Sequence, residues 1–155
     1  MKKITIILLL SLISFSCSDS DSPEEEINLG ITDNPVSGKL YGSNFTIAGG
    51  KGFLTNIVGV DSFELYLTSQ NLGCETSDFS NFPITLIAPR QIGTHTSNVY
   101  VYFRDPNSSD FNNVSYGITV EIISISDDLV IGKVRAAAET TDNSVEGKFE
   151  IPICQ

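Results

Sequence analysis

From residue 30 onward the chain alternates: apolar side chains recur at every second position, β-branched and aromatic residues are enriched, and Gly, Asn, Asp and Ser collect between the runs. A period of two puts successive side chains on opposite faces of a strand, whereas a helix needs 3.6, and no stretch after residue 30 keeps the helical period. The chain therefore reads as all-β. About seven to nine short strands, with turn signals roughly every ten residues, predict a single antiparallel β-sandwich over residues 30–155, with a small calycin-like barrel as the alternative.

The last third carries the pattern most openly. Residues 117–126, 129–140 and 144–154 read as three consecutive strands of a meander, turning at Asp127-Asp128 and Thr141-Asp142-Asn143. Ile118, Val120 and Ile122 share a face, and the adjacent Ile122-Ile123 followed by Ile125 predicts a bulge that shifts the parity. Val130, Val134, Ala136 and Ala138 line one side of the next strand, opposite Lys133, Arg135 and Glu139. In the final strand Val145, Gly147, Phe149, Ile151 and Ile153 are assigned inward, and Glu146, Lys148 and Glu150 outward. Upstream, strands are expected over 36–41, 45–48, 53–60, 62–69, 84–88 and 99–103, with a turn at Gly42-Ser43-Asn44. Gly49-Gly50-Lys51-Gly52 lacks the G-K-[ST] and following helix of a phosphate-binding loop, so it reads as a bulge or tight bend. Residues 70–82 read as an ordered loop and 89–97 as a turn through Gly93.

The first 26 residues set the expected compartment. Lys2 and Lys3 precede Ile4–Phe15, which is apolar apart from Thr5, Ser11 and Ser14, the layout of a secretory signal. As a helix it spans about 18 Å, short of the roughly 30 Å hydrocarbon core. It ends in Ser14-Phe15-Ser16-Cys17, and here the chain resembles bacterial lipoproteins, whose cysteine follows a small residue and is acylated at sulfur, with palmitate-type chains, and freed by cleavage. That resemblance implies a signal peptide over 1–16, lipidation of Cys17 and anchoring to the outer membrane. Ser14-x-Ser16 also fits ordinary signal peptidase, which would leave a periplasmic or secreted protein. Five acids and no base follow within Ser18–Glu26, a composition that buries no apolar area and predicts a disordered acidic tether over 17–29. The tether is similar to the short acidic signals that send lipoproteins of one group of Gram-negative bacteria to the cell surface.

Charge and cysteines narrow the partners. The chain has Lys+Arg 9 against Asp+Glu 19; without Lys2 and Lys3 the mature protein stands at 7 against 19, or −12, and without the five tether acids the domain stands at −7. Such a surface repels phosphate backbones and anionic headgroups, so nucleic acid is excluded as a partner and the membrane is met only through the anchor. With Cys17 lipidated, Cys74 and Cys154 are left to pair as a structural disulfide in an oxidising compartment.

Candidate sites are few. Tyr100 and Tyr102 lie two residues apart, opposite the core positions Val99, Val101 and Phe103, and such a pair can stack on a sugar ring or enter an interface, or pack beneath a loop. Asp105, Asn107, Ser109 and Asp110 are oxygen ligands that can wrap calcium, although the EF-hand glycine and glutamate are missing; an Asx-rich hairpin loop is the alternative and no other cofactor is expected. His95, the one histidine, reads as a surface residue. Glu64, Glu121, Glu139, Glu146 and Glu150 project from strands as a hydrolytic pair or, more simply, as cross-strand ion-pair partners. The closing Phe-x-Ile-x-Ile-Cys, the glycine-punctuated strands before it and the earlier cysteine resemble small all-β lipoproteins of unassigned function from the same bacterial group. Together these features point to a non-enzymatic β domain that binds or scaffolds a protein or glycan partner, with an accessory subunit of an outer-membrane assembly and a carboxylate hydrolase as alternatives.

Overall fold

A computed structural model describes residues 30–108 and 113–155, and these form ten strands: β1 Ser37–Leu40, β2 Ser43–Thr46, β3 Gly49–Ile57, β4 Val60–Thr68, β5 Ile84–Pro89, β6 Gly93–His95, β7 Tyr100–Phe103, β8 Asn113–Ile125, β9 Leu129–Ala138 and β10 Ser144–Pro152. The all-β expectation holds. The strand number is ten rather than seven to nine, because the 89–97 turn contains β6; the glycine run at 49–52 lengthens β3. One turn of 3-10 helix, Phe79–Asn81, lies in the 70–82 loop.

The strands make two antiparallel sheets. One contains β2, β1, β10, β9 and β8, with β6 on the far edge of β8; the other runs β7, β5, β4, β3. β8 belongs to both: Val114 and Asn113 pair with Tyr102 and Phe103 of β7, whereas Ser115, Tyr116 and Thr119–Ile125 pair with β9. Gly117, whose φ of 62° suits glycine, lies where the register with β9 shifts between Tyr116 and Thr119. A second shift between Ile122 and Ser124 is the bulge that Ile122-Ile123 predicts.

On the opposite side the sheets meet through one parallel bridge, Gly52 with Ile153, where the Cys154 N–H donates to the Gly52 carbonyl over 2.8 Å. One bridge does not complete a ladder, so the sandwich is not closed into a barrel and the calycin-like alternative is set aside. Glycine at 50 and 52 permits this approach. A Cβ at Gly50 would fall within 3 Å of the Ile151 side chain and the Tyr66 carbonyl, and one at Gly52 would meet Leu65 and Ile153 equally closely. The 49–52 run is therefore strand, not bend, and its glycines answer to packing rather than to a turn.

The inward alternation packs one core. Phe63, Leu65, Leu67, Ile84, Leu86, Val101 and Phe103 from the second sheet face Val120, Ile122, Val130, Val134, Val145, Phe149 and Ile151 from the first, all at most 3% exposed. The side chains assigned inward in the last third are thus inside, apart from partly buried Ile118, Ala138 and Ile153 at its margin. Cys74 and Cys154, 80 positions apart in the sequence, are joined across the margin with Cα atoms 5.5 Å apart. The bond ties the 70–82 loop to the strand that bridges the sheets. Cys17, the 1–16 leader and the 17–29 tether lie outside the described residues.

Candidate functional site

The outer face of the second sheet departs from the alternation. β5 is buried on both faces, Ile84 to Pro89 without interruption. Its outward residues, Thr85 at 4% and Ile87 at 8% exposure, are covered by neighbours rather than by another layer of the sandwich. Register explains which neighbours. Thr85 stands opposite Tyr66 of β4 on one side and Tyr102 of β7 on the other; Ile87 stands between Glu64 and Tyr100; Lys51 and Phe53 of β3 face Tyr66 and Glu64 in turn. The outer face is thus two rows, Lys51-Tyr66-Thr85-Tyr102 and Phe53-Glu64-Ile87-Tyr100, crossing four strands.

Within this grid Glu64, Tyr66, Thr85, Ile87 and Tyr102 line a cleft of about 230 Å³. Tyr102 forms one wall and Tyr66 the other. The Tyr66 hydroxyl donates to Glu64 Oε1 over 2.7 Å. Burial, and then that bond to a carboxylate, push the Tyr66 phenol well above its ordinary value, so it stays a donor. Its proton is committed to one carboxylate oxygen. Thr85 on the floor has a buried Oγ1 with no hydrogen-bond partner among the described residues. Such an orphan costs about 1–3 kcal/mol unless something else satisfies it. The cleft thus offers aromatic walls and a carboxylate oxygen able to accept, with the Thr85 hydroxyl buried at its floor.

Behind the Tyr66 wall sits a group that the sequence pattern does not announce. Lys51 is 1% exposed, although a lysine is rarely buried without a partner. Its Nζ lies 3.6 Å from the ring centroid of Phe79, 4.7 Å from Phe82 and 5.9 Å from Phe53, and it donates to the Thr76 carbonyl. The rings pack on Tyr66 in turn, with centroids 4.8 Å away for Phe79 and 6.1 Å for Phe53. The cation therefore sits in an aromatic cage closed by the disulfide-bound loop, and the cage backs the cleft wall. The one available signal was Lys51-Gly-Phe53 at strand parity, a lysine and an aromatic on one face.

The other sequence candidates are scattered. Tyr100 is half-buried opposite Ile87, in the row beside that of Tyr102, and is not among the residues lining the cleft, so the two tyrosines share a face and do not make one platform. His95 Nε2 lies 2.8 Å from the Gln91 carbonyl oxygen; because that oxygen can only accept, this nitrogen carries the proton. Asp105 accepts from the Asn107 N–H over 2.8 Å, an Asx turn, while Ser109 and Asp110 lie outside the described residues. Among the described residues no three His, Cys, Asp or Glu side chains cluster as metal ligands. The strand carboxylates take cation partners: Glu146 with Arg135 at 2.9 Å, Glu150 with Lys148 at 2.8 Å and Glu121 with Lys133 at 3.8 Å; Glu139 is exposed. No protein-family model, curated protein or solved structure matches the chain.

Proposed function

We propose that the protein is a lipid-anchored, non-enzymatic surface module whose outer-sheet cleft binds one ring of a neutral, hydroxylated ligand such as a glycan. The cleft walled by Tyr66 and Tyr102 and holding the Glu64 carboxylate, over the buried Thr85 hydroxyl, carries the reading. Sugar rings present an apolar face for stacking on an aromatic and hydroxyls for a carboxylate; an anionic ligand would meet Glu64 and a domain charge of 7 against 14, or −7. At about 230 Å³ the cleft is smaller than the roughly 300–1,000 Å³ of drug-sized sites, so it holds a single ring. About twelve non-hydrogen atoms at roughly 0.3 kcal/mol each give about 4 kcal/mol, which is millimolar affinity. Useful retention then needs many copies side by side, which a lipid anchor on Cys17 would supply.

Titration of the full chain with a panel of neutral mono- and oligosaccharides, followed by NMR or calorimetry, tests the reading. Saturable millimolar binding is expected, lost in Tyr102→Ala and weakened about tenfold in Glu64→Gln. Binding that both variants leave unchanged, or no saturation by any sugar, would reject the cleft as the site. Mass spectrometry of Cys17 separately tests the anchor.

A further inference from the structure

Strand β3 is an outer strand of its sheet, and past Gly52 its free edge is bare among the described residues. Backbone direction follows from two bonds: the Gly50 N–H donates to the Leu72 carbonyl and the Gly52 carbonyl accepts from Cys154, both on the side away from β4. Alternation puts the N–H and C=O groups of Leu54 and Asn56 on that same side. The two-residue turn at Val58-Gly59 agrees, since it makes Ile57 and Val60 the closing bonded pair. Among the described residues no strand continues the pairing beyond Gly52, and Phe53–Ile57 holds neither lysine nor proline to blunt the edge. Beside it lies a depression of about 500 Å³ between Leu54 and the β8–β9 turn at Ser126 and Asp127, floored by Phe63 and Ile153. Leu54 is 53% exposed over it. Arg90 is the single cation among its lining residues and Asp127 the acid on the far wall.

We infer that this edge is a docking site for an extended peptide, which adds a short strand to β3 by bonding Leu54 and Asn56, lays an aliphatic side chain on Leu54 and Phe63, and gives a carboxylate to Arg90. Two outward residues spaced about 6.8 Å apart present alternating donors and acceptors that another backbone matches and a lipid chain does not. The arginine sets the charge of the partner and, with Asp127 opposite, its direction.

The test is panning of a random octapeptide phage library on the full-length protein, then titration of the winning peptide in synthetic form. Enrichment of β-branched or aliphatic residues at alternate positions with an acidic residue at one end is expected. N-methylation of alternate peptide amides should weaken binding about tenfold while methylation of the intervening amides leaves it nearly unchanged. Leu54→Asp and Arg90→Ala, both at exposed side chains, should each weaken it about tenfold without lowering the melting temperature. Enrichment no greater than on an unrelated control, or binding indifferent to N-methylation, would overturn the inference. So would a dimer seen by sedimentation without peptide and dissolved by Leu54→Asp, which would give the edge to a second copy.

Discussion

Lys51 and Val58 show how differently single residues on one strand and its turn are held. Val58 has φ 52° and is 93% exposed, a β-branched residue in a left-handed conformation with its side chain in solvent. Tyr41, at φ 49° in the equivalent turn between β1 and β2, is fastened: its hydroxyl donates to the Phe103 carbonyl and its N–H to Asn143 Oδ1. The sequence reading places the first turn one residue late, at Gly42-Ser43-Asn44, and runs a strand through the second, because hairpin turns of this kind are recognised by Asn-Gly or Asp-Gly, and here Tyr-Gly and Val-Gly stand in their place. Lys51 is the converse case, a charge buried and compensated. A desolvated cation over aromatic rings contributes about 2 kcal/mol, and the bond to the Thr76 carbonyl adds about 1. Lys51→Met keeps the chain length and removes the charge. Chemical denaturation should show a loss of about 1–3 kcal/mol, and amide exchange in 74–82 should accelerate more than in β9 or β10, because the loop loses the group that holds it. Uniform acceleration would mean that the cage supports the whole fold rather than the loop.

Strands rather than residues decide which outward groups meet, and this is where the sequence was most and least legible. The meander of β8, β9 and β10 was readable, including its bulge, because each strand has one core face and one wet face and a slip of one residue would expose every Val and Ile. Register across strands was not readable. Nothing in the chain says that Glu146 stands opposite Arg135, or that Thr85 falls between Tyr66 and Tyr102, because these pairs depend on hairpin lengths and on β5 taking β4 on one edge and β7 on the other. The Glu146–Arg135 pair has a measurable consequence. Bonds from Arg135, and from the Thr32 N–H at 3.2 Å, hold the Glu146 carboxyl below the ordinary carboxylate range. A depressed pKa means that the unfolded state binds the proton first, so the stabilisation is present above the unfolded value of about 4.3 and drains away as pH falls through the folded one. Thermal melts from pH 7 to pH 3 should fall less steeply for Glu146→Gln than for the native chain, with the two curves converging at the acid end. Parallel curves would show that the pair does not couple to folding.

At the scale of the whole molecule two devices keep the sheets together, and they are unequal. On one side β8 is a single strand shared by both sheets, a connection that cannot be lost without unfolding it. On the other side there is one bridge at Gly52 and Ile153, and the Cys74–Cys154 bond beside it. Closing about 80 residues lowers the entropy of the unfolded chain by an amount worth about 4 kcal/mol, a large part of the 5–15 kcal/mol that a domain of this size has in hand. The bond also sits where the Lys51 cage, the Tyr66 wall of the cleft and the bare edge of β3 come together, so its loss should be felt locally first. The double variant Cys74→Ser/Cys154→Ser should melt roughly 10–20 °C lower, taking about 4–8 °C per kcal/mol for small domains and about 2–4 °C for larger ones. At temperatures where it is still folded, protease should cut it within 70–82 before it cuts the β8–β10 meander, because the shared strand holds one margin while the other has lost its staple. Cleavage starting in the meander would mean that the two margins are equally strong, and that β8 contributes no more to joining the sheets than the bridge does.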